Sequence, residues 1–150
     1  MIFETHAHYD DEAFDLDRDA LLRSMHENGI ETIVNVGASL RGVEDTVKLM
    51  KQYPFVYGAI GVHPDEVGTL DEEKMELLCK YCRLPKTVAV GEIGLDYYWD
   101  KENHETQKKW FVRQMDLAKE TELPIIVHSR DAAKDTLDIM KAERADCLKG

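Results

Sequence analysis

His6 and His8 stand one residue apart at the end of the first apolar stretch, Ile2-Phe3-Glu4-Thr5-His6-Ala7-His8. On a β-strand, residues i and i+2 point to the same face, so both imidazoles are aimed into one space. Neutral imidazole is the commonest nitrogen ligand of catalytic divalent metals, and two on a rigid strand supply half a metal site. Two solvent-facing histidines near an N-terminus fit the same spacing. The choice depends on what else the chain brings there.

Three later residues bear on it. Glu92 sits in Gly-Glu-Ile-Gly-Leu-Asp among apolar residues, where a carboxylate is costly to bury without a metal or an arginine partner. His128 closes the apolar run Ile125-Ile126-Val127, and His63 precedes Pro64. Each has a plainer reading, a core or loop histidine bonded to backbone. Together His6, His8, Glu92 and His128 form a nitrogen- and oxygen-rich set without thiolate, which suits Zn, Mn, Fe or Co and, with water added, Mg. A glutamate can bridge two ions about 4 Å apart, the arrangement used for two-metal hydrolysis. His26 and His104 fall on predicted helices and read as surface residues.

The elements that must position these residues alternate regularly. Short β-branched runs are predicted as strands at 2–8, 31–36, 55–62, 87–91 and 124–128. Amphipathic helices are predicted at 15–28, 40–52, 71–83, 104–121 and 131–143, with a long loop at 94–103. The first helix stops at Asn28-Gly29, and the third opens on an acidic turn that suits the helix dipole. Strands alternating with such helices imply parallel pairing through right-handed crossovers. This predicts an α/β fold of five consecutive βα units in a single domain, residues 1–150. An open doubly wound sheet would place a Gly-rich phosphate loop after strand one, but this chain has His-Ala-His-Tyr-Asp-Asp there. The other architecture is the leading part of a (β/α)8 TIM barrel, where functional groups collect at the carboxyl ends of strands. Strand parity puts Val88, Val90 and Glu92 on one face of strand four, and Ile126 and His128 on one face of strand five.

Composition sets outer bounds. With 150 residues, 43% of them apolar, the chain can bury a real core. No run approaches the roughly 18 apolar residues of a membrane span, and no secretory signal is recognisable, so no membrane partner and a cytoplasmic location are expected. Three cysteines fit a reducing compartment. The Cys79-x-x-Cys82 pair lies within a helical pattern, without a second pair, and reads as packing. A net charge of −11 excludes a broad basic surface for duplex nucleic acid, since that affinity scales with phosphates neutralised. It does not exclude a phosphate-cleaving site, because bound cations can dominate the local field.

The chain resembles the TatD-type metal-dependent deoxyribonucleases, members of the amidohydrolase-like TIM barrels. The resemblance is carried by Thr5-His6-Ala7-His8-Tyr9-Asp10-Asp11, Asn35-Val36-Gly37, Gly61-Val62-His63-Pro64 and Gly91-Glu92-Ile93-Gly94-Leu95-Asp96-Tyr97-Tyr98. It continues through Gln107, Phe111, Gln114, Leu117-Ala118 and Leu123-Pro124-Ile125-Ile126-Val127-His128-Ser129-Arg130. It implies metal-dependent phosphodiester hydrolysis, often as a 3′ exonuclease on single-stranded DNA. It also implies two divalent metal ions (Mg, Mn or Zn), with His6 and His8 on one, Glu92 bridging and catalytic, and His128 on the other. His63, Arg130 and Tyr97 are the expected substrate-binding residues, while Tyr97, Tyr98 and Trp99 fit either stacking on bases or packing of their loop against helix four, with packing expected for at least two of them.

Two departures from the family pattern stand out. Glu4 replaces the usual aspartate before Thr-His-x-His, keeping the charge and adding a methylene. The family's later histidine and its strand-eight Thr-Asp, the expected ligand and base, have no counterpart before Gly150. Five strands cannot close a barrel of shear eight, so strands 6–8 are expected from a longer protein. The 150-residue form is expected to be inactive alone, and its open sheet edges could support self-association. Another metal hydrolase on the same barrel, acting on an ester, lactone or amide, is the rival reading, with a non-catalytic fragment as the third.

Overall fold

The structure is a computed structural model that describes residues 2–148. Five strands, β1 (Ile2–Ala7), β2 (Ile30–Val36), β3 (Val56–Ile60), β4 (Thr87–Asp96) and β5 (Ile125–Arg130), form one sheet in chain order. Every neighbouring pair is parallel. Helices α1 (Arg18–Glu27), α2 (Leu40–Gln52), α3 (Glu72–Cys82), α4 (His104–Thr121) and α5 (Ala133–Ala142) follow the five strands in turn. This is the succession of βα units expected for the first part of a (β/α)8 barrel.

Local chemistry explains the helix ends. Ser39 Oγ accepts the Gly42 N–H at 3.0 Å to open α2, and Asp71 Oδ1 accepts the Lys74 N–H at 2.9 Å to open α3. The Lys86 ammonium donates to the carbonyls of Met50 and Tyr53, at 2.7 and 2.6 Å, where α2 ends. Helix α1 begins three residues later than predicted. Asp11 caps a 3-10 turn at Glu12–Phe14, and Arg18 ties that turn to the carbonyls of Tyr9 and Asp11.

The core lies between sheet and helices. Met75, Leu78, Phe111 and Met115 are fully buried with Ile60, Val90, Ile93 and Leu95. Each such side chain contributes about 1.5–3 kcal/mol of transfer free energy. A smaller cluster, Val34, Val36, Ala59 and Ala89, lies apart from it, with Val88 and Ile126 packed against it. The edge strands β1 and β5 contain no fully buried residue, unlike β2, β3 and β4. Cys82 is buried on α3 and Cys79 is half-buried beside it, the packing role read from sequence. Among the described residues, no helix is long and apolar enough to cross a membrane.

Strand β4 corrects two expectations. It continues from 91 through Glu92 to Asp96, where a loop was expected from Gly94 onward. Gly94 allows this because its φ is +146° and a Cβ there would collide with the His128 carbonyl oxygen of the paired strand. The glycine that reads as a turn signal is a point of close strand approach. Parity also fails: Val90 packs among helix residues, whereas Glu92 turns toward the histidines. A register shift between Val90 and Ile93, opposite β5, separates the two, as a bulge re-aims the side chain beyond it.

Candidate metal centre

The carboxyl ends of β1, β4 and β5 converge. His6 Nε2 and His8 Nε2 lie 3.2 Å apart, with the rings edge-on at 5.0 Å between centroids. His8 Nδ1 lies 2.8 Å from the Val36 carbonyl of β2, so it carries the proton and leaves Nε2 as a lone pair. Glu4 folds back to accept the His6 N–H at 3.1 Å, which occupies the longer acidic side chain.

Glu92 joins the two ends of the site. Its Oε2 lies 3.4 Å from His6 Nε2 and 3.9 Å from His8 Nε2. Its Oε1 lies 3.1 Å from His128 Nδ1. A tetrahedral ion with bonds of about 2.0–2.2 Å separates its donor atoms by about 3.4 Å. The spacings of His6, His8 and Glu92 match that value, so the donor set fits a divalent cation. His63, Glu92 and His128 form a second group whose donor atoms lie within 4.8 Å of one another, and His63, Asp65 and Asp96 form a third.

The surrounding groups are polar and held in place. His63 packs its ring edge-on against His128 at 4.2 Å, and its Nδ1 accepts the Asp65 N–H at 3.3 Å. Burial first, and the neighbouring His128 second, lower the His63 pKa and favour the neutral ring. Burial raises the pKa of Asp10 against the opposing Asn35 amide bond, and burial likewise raises that of Asp65. Burial also opposes ionisation of Asp96, but N–H donors from Trp99 and Tyr98 and the His128 ring outweigh it and hold that pKa low. His8, Asp10, Arg41, His63, Glu92 and His128 are among the residues lining a cavity of about 590 Å³.

The remaining expected residues, Tyr97 and Arg130, follow Asp96 and His128 in the chain and are not among the residues lining this cavity. Tyr97 donates its hydroxyl to Asp135 at 2.8 Å and stacks on His104 at 3.6 Å, locked between α4 and α5. That stacking makes His104 a half-buried packing residue, where a surface histidine was expected. Arg130 lies 4.3 Å over the Tyr98 ring and 5.5 Å over the Trp99 ring. Tyr98 and Trp99 are 46% and 65% exposed and meet edge-on at 4.7 Å between ring centroids. Among the described residues no carboxylate pairs with Arg130.

Sequence reasoning passed over Asp10, Asp65 and Asp96 as parts of the site. Asp10 and Asp65 lie in the turns after His8 and His63, where strand parity gives no signal, and Asp96 ends β4 where a loop was expected.

Comparison with known proteins agrees with this architecture. The model of the TatD related DNase family matches residues 3–150. An uncharacterized metal-dependent hydrolase, YabD of Bacillus subtilis, is 39% identical over the entire chain, which spans 59% of that relative. A 3′-5′ ssDNA/RNA exonuclease TatD of Escherichia fergusonii is 29% identical over 85% of the chain and 49% of its own length. The crystal structure of YJJV, a TatD homologue from Escherichia coli, superposes with a TM-score of 0.88 at 30% identity. That match covers 97% of this chain and 57% of the other, so the chain spans little more than half the length of its relatives. The five parallel βα units are those of the TatD barrel, and the chain belongs to the TatD related DNase family.

Proposed function

We propose that the whole protein is a metal-dependent phosphodiesterase that shortens single-stranded DNA from its 3′ end. His6, His8 and Glu92 would hold one divalent ion, and Glu92 and His128 a second, drawn from Mg, Mn or Zn. The carrying observation is that the two oxygens of Glu92 face different imidazole groups, Oε2 toward His6 and His8 and Oε1 toward His128. Ions in such a site polarise a phosphoryl oxygen and bring the pKa of a water down to about 7.

The chain's own residues would do the rest. The Val36 carbonyl holds His8 by Nδ1 and leaves its Nε2 on the side of His6 and Glu92. His63 lines the cavity, and with Nδ1 accepting the Asp65 N–H its neutral ring would carry the proton on Nε2, a donor for a phosphate oxygen. Arg130, at the end of β5, and Tyr98 and Trp99, just after β4, offer one cation and two aromatic rings, the combination that binds single strands without reading sequence. Tyr97, with its hydroxyl on Asp135 and its ring on His104, would anchor the segment that carries Tyr98 and Trp99.

The test is a 5′-fluorescent single-stranded oligonucleotide incubated with the full-length protein and Mg²⁺ or Mn²⁺. Stepwise shortening from the 3′ end is expected, with its loss in the Glu92→Ala variant. Shortening by that variant at the unmodified rate would end the nuclease assignment.

A further inference from the structure

Asp96 touches neither β1 histidine, yet it faces the His128 ring from the side opposite Glu92. Its Oδ2 lies 3.0 Å from His128 Nε2, while Glu92 Oε1 lies 3.1 Å from Nδ1. We propose that Asp96 is a positioning residue that sets the tautomer of His128, keeping the proton on Nε2 and presenting the Nδ1 lone pair beside Glu92 to a cation. The cation half of this rests on the metal reading above, whereas the tautomer half does not.

Asp96 is built for the task. It is 1% exposed, at the end of β4. Its Oδ1 accepts the N–H groups of Tyr98 at 2.9 Å and Trp99 at 3.0 Å, so the carboxylate serves as an acceptor and cannot rotate freely. Its backbone is clamped by the fully buried Gln107 of α4. The Asp96 N–H donates to Gln107 Oε1 at 2.8 Å, and Gln107 Nε2 donates to the Asp96 carbonyl at 2.9 Å. The pairing of β4 with β5 sets Gly94 opposite His128 and Asp96 opposite Arg130, which fixes the distance between carboxylate and ring.

A neutral imidazole has a single N–H, and here two carboxylates compete for it. Their surroundings decide between them. Glu92 divides its oxygens between His128 and the β1 histidines, where the donor spacings fit a cation. Asp96 has Oδ1 saturated by backbone donors and only Oδ2 left, aimed at Nε2. A proton on Nε2 satisfies Asp96 and leaves Nδ1 able to ligate. A proton on Nδ1 would leave the buried Oδ2 facing a lone pair and would block the metal. A carboxylate on the far nitrogen of a ligating histidine is a recurrent device for orienting the ring and raising its basicity.

The experiment is a ring-nitrogen NMR spectrum of full-length protein labelled with ¹⁵N-histidine, with His128 assigned by its absence in the His128→Gln variant. Spectra are recorded metal-free, with the pH raised until no imidazolium signal remains, and again with Zn²⁺. The expected result is a His128 proton on Nε2 in both states. In the Asp96→Asn variant the amide oxygen stays with the Tyr98 and Trp99 N–H groups and the NH₂ turns to Nε2. The proton then moves to Nδ1, and Zn²⁺ affinity falls about 10–100-fold. A His128 proton on Nδ1 in the unmodified protein overturns the proposal without recourse to any variant. So does loss of the Nε2 proton on adding Zn²⁺, which would put the ion on the Asp96 side of the ring instead of beside Glu92. Weakened affinity in Asp96→Asn with an unchanged tautomer would reduce Asp96 to a structural residue. Unmodified protein with the proton on Nε2 and no Zn²⁺ binding would sink the metal reading and uphold the tautomer assignment.

Discussion

Asn35 reaches none of the histidines, but it determines where the segment after His8 goes. Its Oδ1 accepts the Tyr9 N–H at 2.6 Å, and its Nδ2 donates to Asp10 at 2.8 Å and to Thr46 at 2.7 Å. Fully buried, it spends its amide on holding the β1 exit against α2. Single-residue environment also separates the three cysteines, which sequence alone could only describe as thiols. Burial pushes the Cys82 thiol up to about 12, so it is almost wholly un-ionised at pH 8.5. Cys147 is exposed on the surface. Iodoacetamide at pH 8.5 is expected to modify Cys147 rapidly and to reach Cys82 only on unfolding, with raised pH speeding Cys82 labelling well beyond pH 9. Mass spectrometry of a labelling time course checks this; equal rates at Cys82 and Cys147 in folded protein would contradict the packing of α3. The histidines at strand ends were legible because strand parity and a bare donor atom are visible in the sequence. Asp96 was not, because an aspartate beyond a glycine reads as the start of a loop, and nothing local reveals that its partner lies 32 residues away.

Among the secondary-structure elements, the site depends on how closely β4 and β5 approach. Gly94 lies opposite His128, has a φ of +146°, and has the His128 carbonyl where a Cβ would stand. Gly94→Ala therefore both forces an unfavourable backbone and separates the strands that carry Glu92 and His128. A loss of about 3 kcal/mol is expected, comparable to a severe overpacking change. Urea denaturation of the metal-free protein measures it. Thermal stabilisation by added Zn²⁺ should shrink in the same variant, since the two ligands no longer meet. A Gly94→Ala variant with unchanged midpoint and unchanged response to Zn²⁺ would show that the close approach is dispensable. The alternation of strands and helices was readable because each carries its own hydrophobic period and end signals, as at Ser39 and Asp71. The bulge between Val90 and Ile93 was not readable, since it arises from the register against β5 and not from any property of β4 alone.

Taken as one body, the chain is strongly acidic, with 30 carboxylates against 19 basic side chains. A polyanionic substrate approaching it gains little from the mean field, and ordinary salt screens that field within about 8–10 Å. Affinity for single-stranded DNA must then come from local features: bound cations, stacking surfaces and the few basic groups that are free. Most basic side chains are already committed, as with Arg18 to Asp15, Arg23 to Asp19, Lys108 to Asp135 and Lys119 to Glu143. Arg130 differs, lying over Tyr98 and Trp99 with no acidic partner among the described residues. If it neutralises one phosphate, its removal should change the salt dependence of binding by one contact. For single strands that is a change of about 0.7 in the slope of log affinity against log salt. We expect Arg130→Gln in the full-length protein to bind a single-stranded oligonucleotide more weakly and with a slope shallower by about that amount. Fluorescence anisotropy between 50 and 300 mM NaCl, with Ca²⁺ replacing Mg²⁺ to suppress cleavage, supplies both numbers. A Trp99→Ala variant should weaken binding without altering the slope, because a stacked base releases no counterion. Equal slopes for Arg130→Gln and the unmodified protein would mean that the guanidinium only stiffens the aromatic pair and leaves the phosphates to the cations.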